Sequence, residues 1–255
     1  MLLSNIADKY FVFKPSKNYI GTPKDVGLDF DDLYFDSTDN VTLHGWFINN
    51  NSDKTILWLH GNGGNISHRI NSLKNLSDNI KSNIFIFDYR GYGKSGGNVS
   101  ETGCYQDSLS AVTFLQETYL TRIDQLVLFG KSLGCAIATE IAIKVTPLAL
   151  LLESPFTSIR EMVKYKFPYI PGVQYLISDK FNTYKKIDDI HCPVMIIHGD
   201  SDMTIPQHMG KTVYNKYKHA KLFLNATNAG HNNIEEVLGE RYYLEIESFL
   251  KSNSQ

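Results

Sequence analysis

The hydrophobic pattern changes character part-way along the chain. First come short β-rich runs, LYFDS (33–37), VTLHGWFI (41–48) and TILWLH (55–60). Thr38, Asp39 and Asn40 between the first two suit a tight turn, because Asp and Asn tolerate turn geometry. These three runs are expected to be antiparallel neighbours. NIFIFDY (83–89), QLVLFG (125–130), LALLLE (148–153) and PVMIIHG (193–199) are then almost continuously apolar, as strands covered on both faces of a parallel sheet should be. Helical spacing fills the gaps. Ser100 caps a segment in which Leu109, Val112, Leu115 and Leu120 help make an apolar face, and CAIATEIAIKV (135–145) suits a buried helix. AKLFLN (220–225) predicts a last strand and residues 232–252 a closing amphipathic helix. The alternation predicts an α/β fold: a mostly parallel sheet of about eight strands with an antiparallel N-terminal start and helices on both faces. One domain over 1–255 accommodates it.

One stretch breaks the alternation. Ser154 to Lys186 is longer than a crossover helix needs and carries Phe156, Tyr165, Phe167, Tyr169, Tyr175 and Phe181. It reads as a helical cap, 155–186, over the carboxyl edge of the sheet. Its aromatics either pack as ordinary core or line an apolar acyl pocket, with Phe156 and Tyr169 as candidate pocket residues.

Composition narrows the partners. A net charge of −2 without a basic stripe gives no footprint for nucleic acid. Three widely spaced cysteines, without metal-ligand spacing, fit a reducing, cytoplasmic setting. No apolar run is long enough to span a bilayer, and the first residues make a poor signal peptide. Leu3, Ile6, Tyr10 and Phe13 recur at helical spacing; they read as docking on the body of the protein or as shallow peripheral contact with a membrane surface.

Gly130-Lys131-Ser132-Leu133-Gly134 fits G-x-S-x-G between a buried-strand pattern and a helical one. The turn there is sharp, and glycines on either side of the serine remove side chains that would collide with strand and helix. Ser132 would sit at a helix N-terminus, where backbone N–H groups favour developing negative charge. Gly93-Lys94-Ser95-Gly96-Gly97 matches too, but Arg90-Gly91-Tyr92 separates it from its strand and no helix follows, so it reads as a flexible loop on the same side of the sheet. Neither copy is a phosphate-binding P-loop. Asp88 and Gln125 stand where G-x-x-x-x-G-K-[ST] requires glycine.

A serine hydroxyl needs a base. Of eight histidines, His231 follows the last strand and can hang over the carboxyl edge towards Ser132. His60 and His198 end strands and read as structural, while His44, His68, His191, His208 and His219 lack an accompanying catalytic pattern. The base needs an acid to fix its tautomer. Asp202, in a loop that must turn before reaching His231, is preferred to Asp200, which suits organising the turn. The backbone N–H of Leu133 is one candidate oxyanion donor. The other comes from His60-Gly61-Asn62-Gly63-Gly64-Asn65, where glycines permit close backbone approach: Asn62 first, Gly63 as the alternative.

From about Phe13 to Leu250 the chain resembles the bud-emergence-like branch of α/β-hydrolases. The resemblance rests on LHGWFI, LHGNGGNISHR, FDYRGYGKSGG, GKSLG, LESPFTSI, DKFNTYKKI, CPVMIIHGDSD and AGHNN. It implies the α/β-hydrolase fold and a triad that falls on Ser132, Asp202 and His231, in the Ser, acid, His order of that fold. It also implies an oxyanion loop at Asn62. The expected function is a serine hydrolase that cleaves carboxylic ester or thioester bonds of small or acyl-chain, lipid-like substrates through an acyl-enzyme, with no metal or organic cofactor required. Amide cleavage, perhydrolysis and a non-catalytic binding role are the alternatives.

Overall fold

The computed structural model describes residues 12–172, 174, 178–219 and 221–253. Leu3, Ile6, Tyr10 and Tyr175 lie outside them. Eight strands form one sheet: β1 (Asp31–Asp36), β2 (Thr42–Ile48), β3 (Thr55–Leu59), β4 (Asn83–Asp88), β5 (Leu126–Lys131), β6 (Ala149–Glu153), β7 (Val194–Gly199) and β8 (Lys221–Ala226). Their order is β8-β7-β6-β5-β3-β4-β2-β1. β1 and β2 form the expected hairpin, Asp31 opposite Phe47 and Asp36 opposite Thr42. Asn40 takes φ 60° in the turn.

β3 departs from the expectation. It does not pair with β2; it runs parallel between β4 and β5, and β4 pairs antiparallel with β2. All five residues of β3 are buried. A strand apolar at every position needs cover on both faces, which the centre of the sheet supplies. Helix α1 (Ile70–Asn79) links β3 to β4.

Strand residues alternate between two cores. Leu57, Leu59, Phe85 and Phe87 face one, with α2 (Glu101–Tyr119) and α3 (Leu133–Val145) against them. Ile56, Trp58, Ile84 and Ile86 face the other, covered by α1 and by the last helix. Ser100 caps α2 by accepting from Gly103 N–H at 3.0 Å. Leu120 does not join the apolar face: it ends α2 in a left-handed conformation and is 80 % exposed. The closing helix is two, α7 (Ile234–Leu238) and α8 (Glu240–Ser252), broken at Gly239 with φ 54°.

The stretch read as a cap contains α4 (Ile159–Lys166), started by Ser158, and the short α5 (Thr183–Lys186). Its aromatics divide. Phe181 is core, edge-on to the buried Phe13 at 5.8 Å. Tyr169 is 94 % exposed. Helix α6 (Gln207–Lys216) follows the β7 loop. Cys104, Cys135 and Cys192 are free and buried. Among the described residues no helix is long and apolar enough to cross a membrane.

Candidate active site

Ser132 stands between β5 and α3 with φ 55° and ψ −116°. Left-handed φ is costly for a residue with a Cβ, so neighbours must hold it. Its N–H donates to Glu153 O at 2.8 Å, and its carbonyl accepts from Cys135 N–H at 3.0 Å. A Cβ at Gly134 would stand 1.9 Å from Leu59 O, and one at Gly130 2.5 Å from Gly134 O; both glycines are required by close approach. The Glu153 side chain, itself buried, takes Lys131 Nζ at 2.6 Å and the Tyr242 hydroxyl at 2.5 Å.

Asp202 and His231 meet. His231 Nδ1 lies 2.7 Å from Asp202 Oδ2, while Thr204 and Ile205 N–H donate to Asp202 Oδ1 at 2.8 Å each. Burial pushes the carboxyl up, but hydrogen bonds from His198 and His231 outweigh it and hold Asp202 well below the usual carboxylate range. Asp200 accepts from Ser201 Oγ and Asn228 N–H instead, organising the loop. The acid and base loops are tied together by Ser201 N–H to Ala229 O at 3.0 Å.

His198 contributes more than its strand position suggested. Its Nε2 donates to Ile205 O at 2.9 Å and lies 3.4 Å from Asp202 Oδ2. His60 is fully buried, donates from Nδ1 to Gly61 O at 2.7 Å, and is held neutral by burial, its pKa down to about 3.

The glycine loop reaches the nucleophile: a Cβ on Gly61 would be 3.4 Å from Ser132 Cβ. Asn62 O accepts from Lys14 N–H at 3.0 Å and Tyr92 OH at 2.8 Å, and Asn62 Nδ2 donates to Val12 O. Neither Asn62 N–H nor Leu133 N–H has an acceptor among the described residues, so both are free to serve an incoming oxygen.

A cleft of about 990 Å³ collects these groups. Ser132, Leu133, His231, Asn62, Gly63 and Phe156 all line it. Tyr169 does not; the tip of the cap turns it to solvent, which corrects its assignment to the pocket. Ile159, Met162, Val163 and Phe167 from the 155–186 stretch, Trp58 and Ile205 from the sheet side, and the cations Lys14, Arg69 and Lys166 are also in the lining. Phe167 is one of the aromatics that sequence reading offered as pocket lining; the others it missed. Only Arg69, closely following the glycine loop, carried a signal. Among the described residues no His, Cys, Asp or Glu cluster could hold a metal ion.

The sheet order and the strand–serine–helix turn define an α/β-hydrolase. Residues 50–186 match the family model described as serine aminopeptidase, S33, and the chain belongs to that α/β-hydrolase family. It is 30 % identical over 252 residues to Protein bem46 of Schizosaccharomyces pombe, spanning 93 % of this chain and 82 % of the relative. It is 35 % identical over 191 residues to the lysophosphatidylserine lipase ABHD12 of Danio rerio, 67 % of this chain and 49 % of that protein. Among solved structures, the Pyrococcus furiosus esterase Pf2001 superposes with TM-score 0.79 at 25 % identity, covering 94 % of this chain and 98 % of that one.

Proposed function

We propose that the protein is a serine hydrolase cleaving carboxylic ester or thioester bonds of small or acyl-chain substrates, with Ser132, His231 and Asp202 as its triad. The observation that carries this reading is a serine in strained geometry at a helix N-terminus, sharing one cleft with a histidine whose other ring nitrogen is engaged by a buried carboxylate. Ser132 Oγ attacks the carbonyl carbon as its proton passes to His231 Nε2. Asp202 fixes the ring and stabilises the imidazolium. The N–H groups of Leu133 and Asn62 hold the tetrahedral oxyanion. Collapse expels the alcohol or thiol with the proton from His231. Water, deprotonated by His231, then cleaves the acyl-enzyme and restores Ser132. The acyl-chain class is supported by the apolar cap wall and by relatives named lipase and esterase.

The family description favours a second reading, removal of an N-terminal amino acid. An aminopeptidase must neutralise the substrate ammonium, and no Asp or Glu lines the cleft among the described residues, which counts against it. The test is fluorophosphonate labelling of wild type beside Ser132→Ala, then p-nitrophenyl esters of rising chain length against an aminoacyl p-nitroanilide. Labelling should vanish in the variant and ester turnover fall on the order of a million-fold. Undiminished labelling or turnover would refute Ser132 as nucleophile.

A further inference from the structure

The cleft is one-sided in charge. Lys14, Arg69, Lys131 and Lys166 line it together with His68 and His231, and no carboxylate does so among the described residues. With a net charge of −2, the chain has acids enough to balance them elsewhere. Lys131 is accounted for by its 2.6 Å ion pair to Glu153. Lys14, Arg69 and Lys166 have no carboxylate within 4 Å among the described residues.

Two of these cations belong to residues bound to the glycine loop, beside the candidate oxyanion donor. Lys14 pairs with Gly63 in a two-residue parallel bridge, its N–H donating to Asn62 O. Arg69 donates from Nη2 to the carbonyl of the same Gly63 at 2.6 Å. That bond uses one of five guanidinium N–H groups, and the others have no acceptor among the described residues. Arg69 is half-buried. Burial pulls its pKa down, with the charge of Asp88 opposing from beyond contact distance. It also closes the short 3-10 helix Ile66–Arg69 and is the N-cap residue of α1, the end at which the dipole of α1 disfavours a cation. Its position therefore costs stability, and one hydrogen bond to a backbone carbonyl does little to offset that.

The opposite wall differs in kind. Phe156, Ile159, Met162 and Val163 make it mainly apolar, with Lys166 at the end of α4 as its one cation among the described residues. A substrate matching both walls carries a chain on one side of the scissile carbonyl and a compact negative group on the other.

Building on the hydrolase reading, we propose that the oxyanion-loop side of the cleft is a subsite for the anionic group, phosphate or carboxylate, of an amphiphilic acyl ester. Arg69 and Lys14 bind the anion while the acyl chain lies under the cap. Guanidinium suits either group because it presents paired donors to two oxygens.

The test compares kcat/KM for monooctanoylglycerol phosphate and octanoyloxyacetate with that for neutral monooctanoylglycerol. Wild type, Lys14→Gln, Arg69→Gln and Arg69→Lys are assayed below micelle formation. The anionic-to-neutral ratio is the readout, since it divides out any loss common to all substrates when the bond to Gly63 is disturbed. Wild type should favour an anionic ester, and the two anionic arms identify which group. The ratio should fall on the order of tenfold in each Gln variant and partly survive in Arg69→Lys. It should also fall in wild type as salt is raised. A wild-type ratio near one, or one unchanged by both Gln substitutions, overturns the subsite and leaves the hydrolase intact. If wild type turns over no ester, the hydrolase reading fails instead. Binding of the same esters to Ser132→Ala then decides the subsite: tighter binding of an anionic ester, lost on Arg69→Gln, sustains it, and equal binding overturns it.

Discussion

The chain carries Gly-Lys-Ser-x-Gly twice, at Gly130–Gly134 and at Gly93–Gly97, and the structure gives the copies opposite fates. Ser132 is pinned at φ 55° between a strand and a helix and lines the cleft. Ser95 is 1 % exposed; its hydroxyl donates to Asp88 O at 2.5 Å and accepts from His44 N–H at 2.9 Å. Around it the loop is held by Gly91 N–H to Gly96 O, Gly96 N–H to Thr42 O and Lys17 Nζ to Ser95 O. The loop read from sequence as flexible is thus a bonded wedge. A reactive serine needs an unspent hydroxyl and a base within reach, and the five letters specify neither.

Nearby carboxylates differ in the same way. Asp202 is held low by its histidine partners. Asp88 is pushed up to about 6 by burial, despite accepting from Tyr19 OH and from Ile66 N–H at 2.9 Å. One is held charged beside two histidines; the other is a buried hydrogen-bond acceptor.

The largest break in this comparison should come from Asp202→Asn set beside Ser95→Ala. The first should lower ester turnover on the order of ten-thousand-fold through loss of the correct tautomer. The second should leave turnover intact and cost about 1–3 kcal/mol in urea unfolding, because a buried N–H loses its acceptor. Equal activity losses would erase the distinction between the copies.

The flanking glycines give a smaller contrast. Alanine at Gly134 would drive its Cβ to 1.9 Å from Leu59 O, whereas at Gly96 the nearest atom, Thr42 O, is 3.4 Å away. Gly134→Ala should lose about 3 kcal/mol and Gly96→Ala within about 0.5 kcal/mol, read from paired denaturant curves.

The finest effect concerns pH. Native Asp88 keeps its proton up to about 6, while the unfolded chain releases it near ~3.9. Between those values the native state binds more protons, so stability falls as pH rises. The contribution is complete below the unfolded pKa and lost through the folded one. Unfolding free energies measured across that interval should decline less steeply in Asp88→Asn. An unchanged slope would place the titration elsewhere. Asp202 has the opposite sign: its contribution persists above the ordinary carboxylate range and is lost only as pH falls through its depressed folded value.

Much of this was legible in the sequence because continuous apolar runs and glycine spacing report local sterics. β4 to β8 and the turn at Ser132 belong to that class, and so does the meeting of Asp202 with His231, which needed only loops at the same sheet edge. What escaped depends on distant neighbours. TILWL looks like a hairpin partner until its five buried positions demand cover on both faces. Tyr169 and Phe156 are both aromatics of the 155–186 stretch, and only the course of its backbone sends one to solvent and the other to the cleft. Lys14 reaches the glycine loop through a two-residue bridge, too short to leave a period.

The bond from Tyr242 to Glu153 spans 89 positions of sequence. Glu153 supplies the carbonyl that holds Ser132 N–H, so the carboxylate beside that turn waits for a donor that leaves the ribosome much later. At a synthesis rate of roughly 5–20 residues per second, Ser132 is made seconds before that donor. The order of translation therefore delays the full set of bonds on Glu153 until α8 has been made.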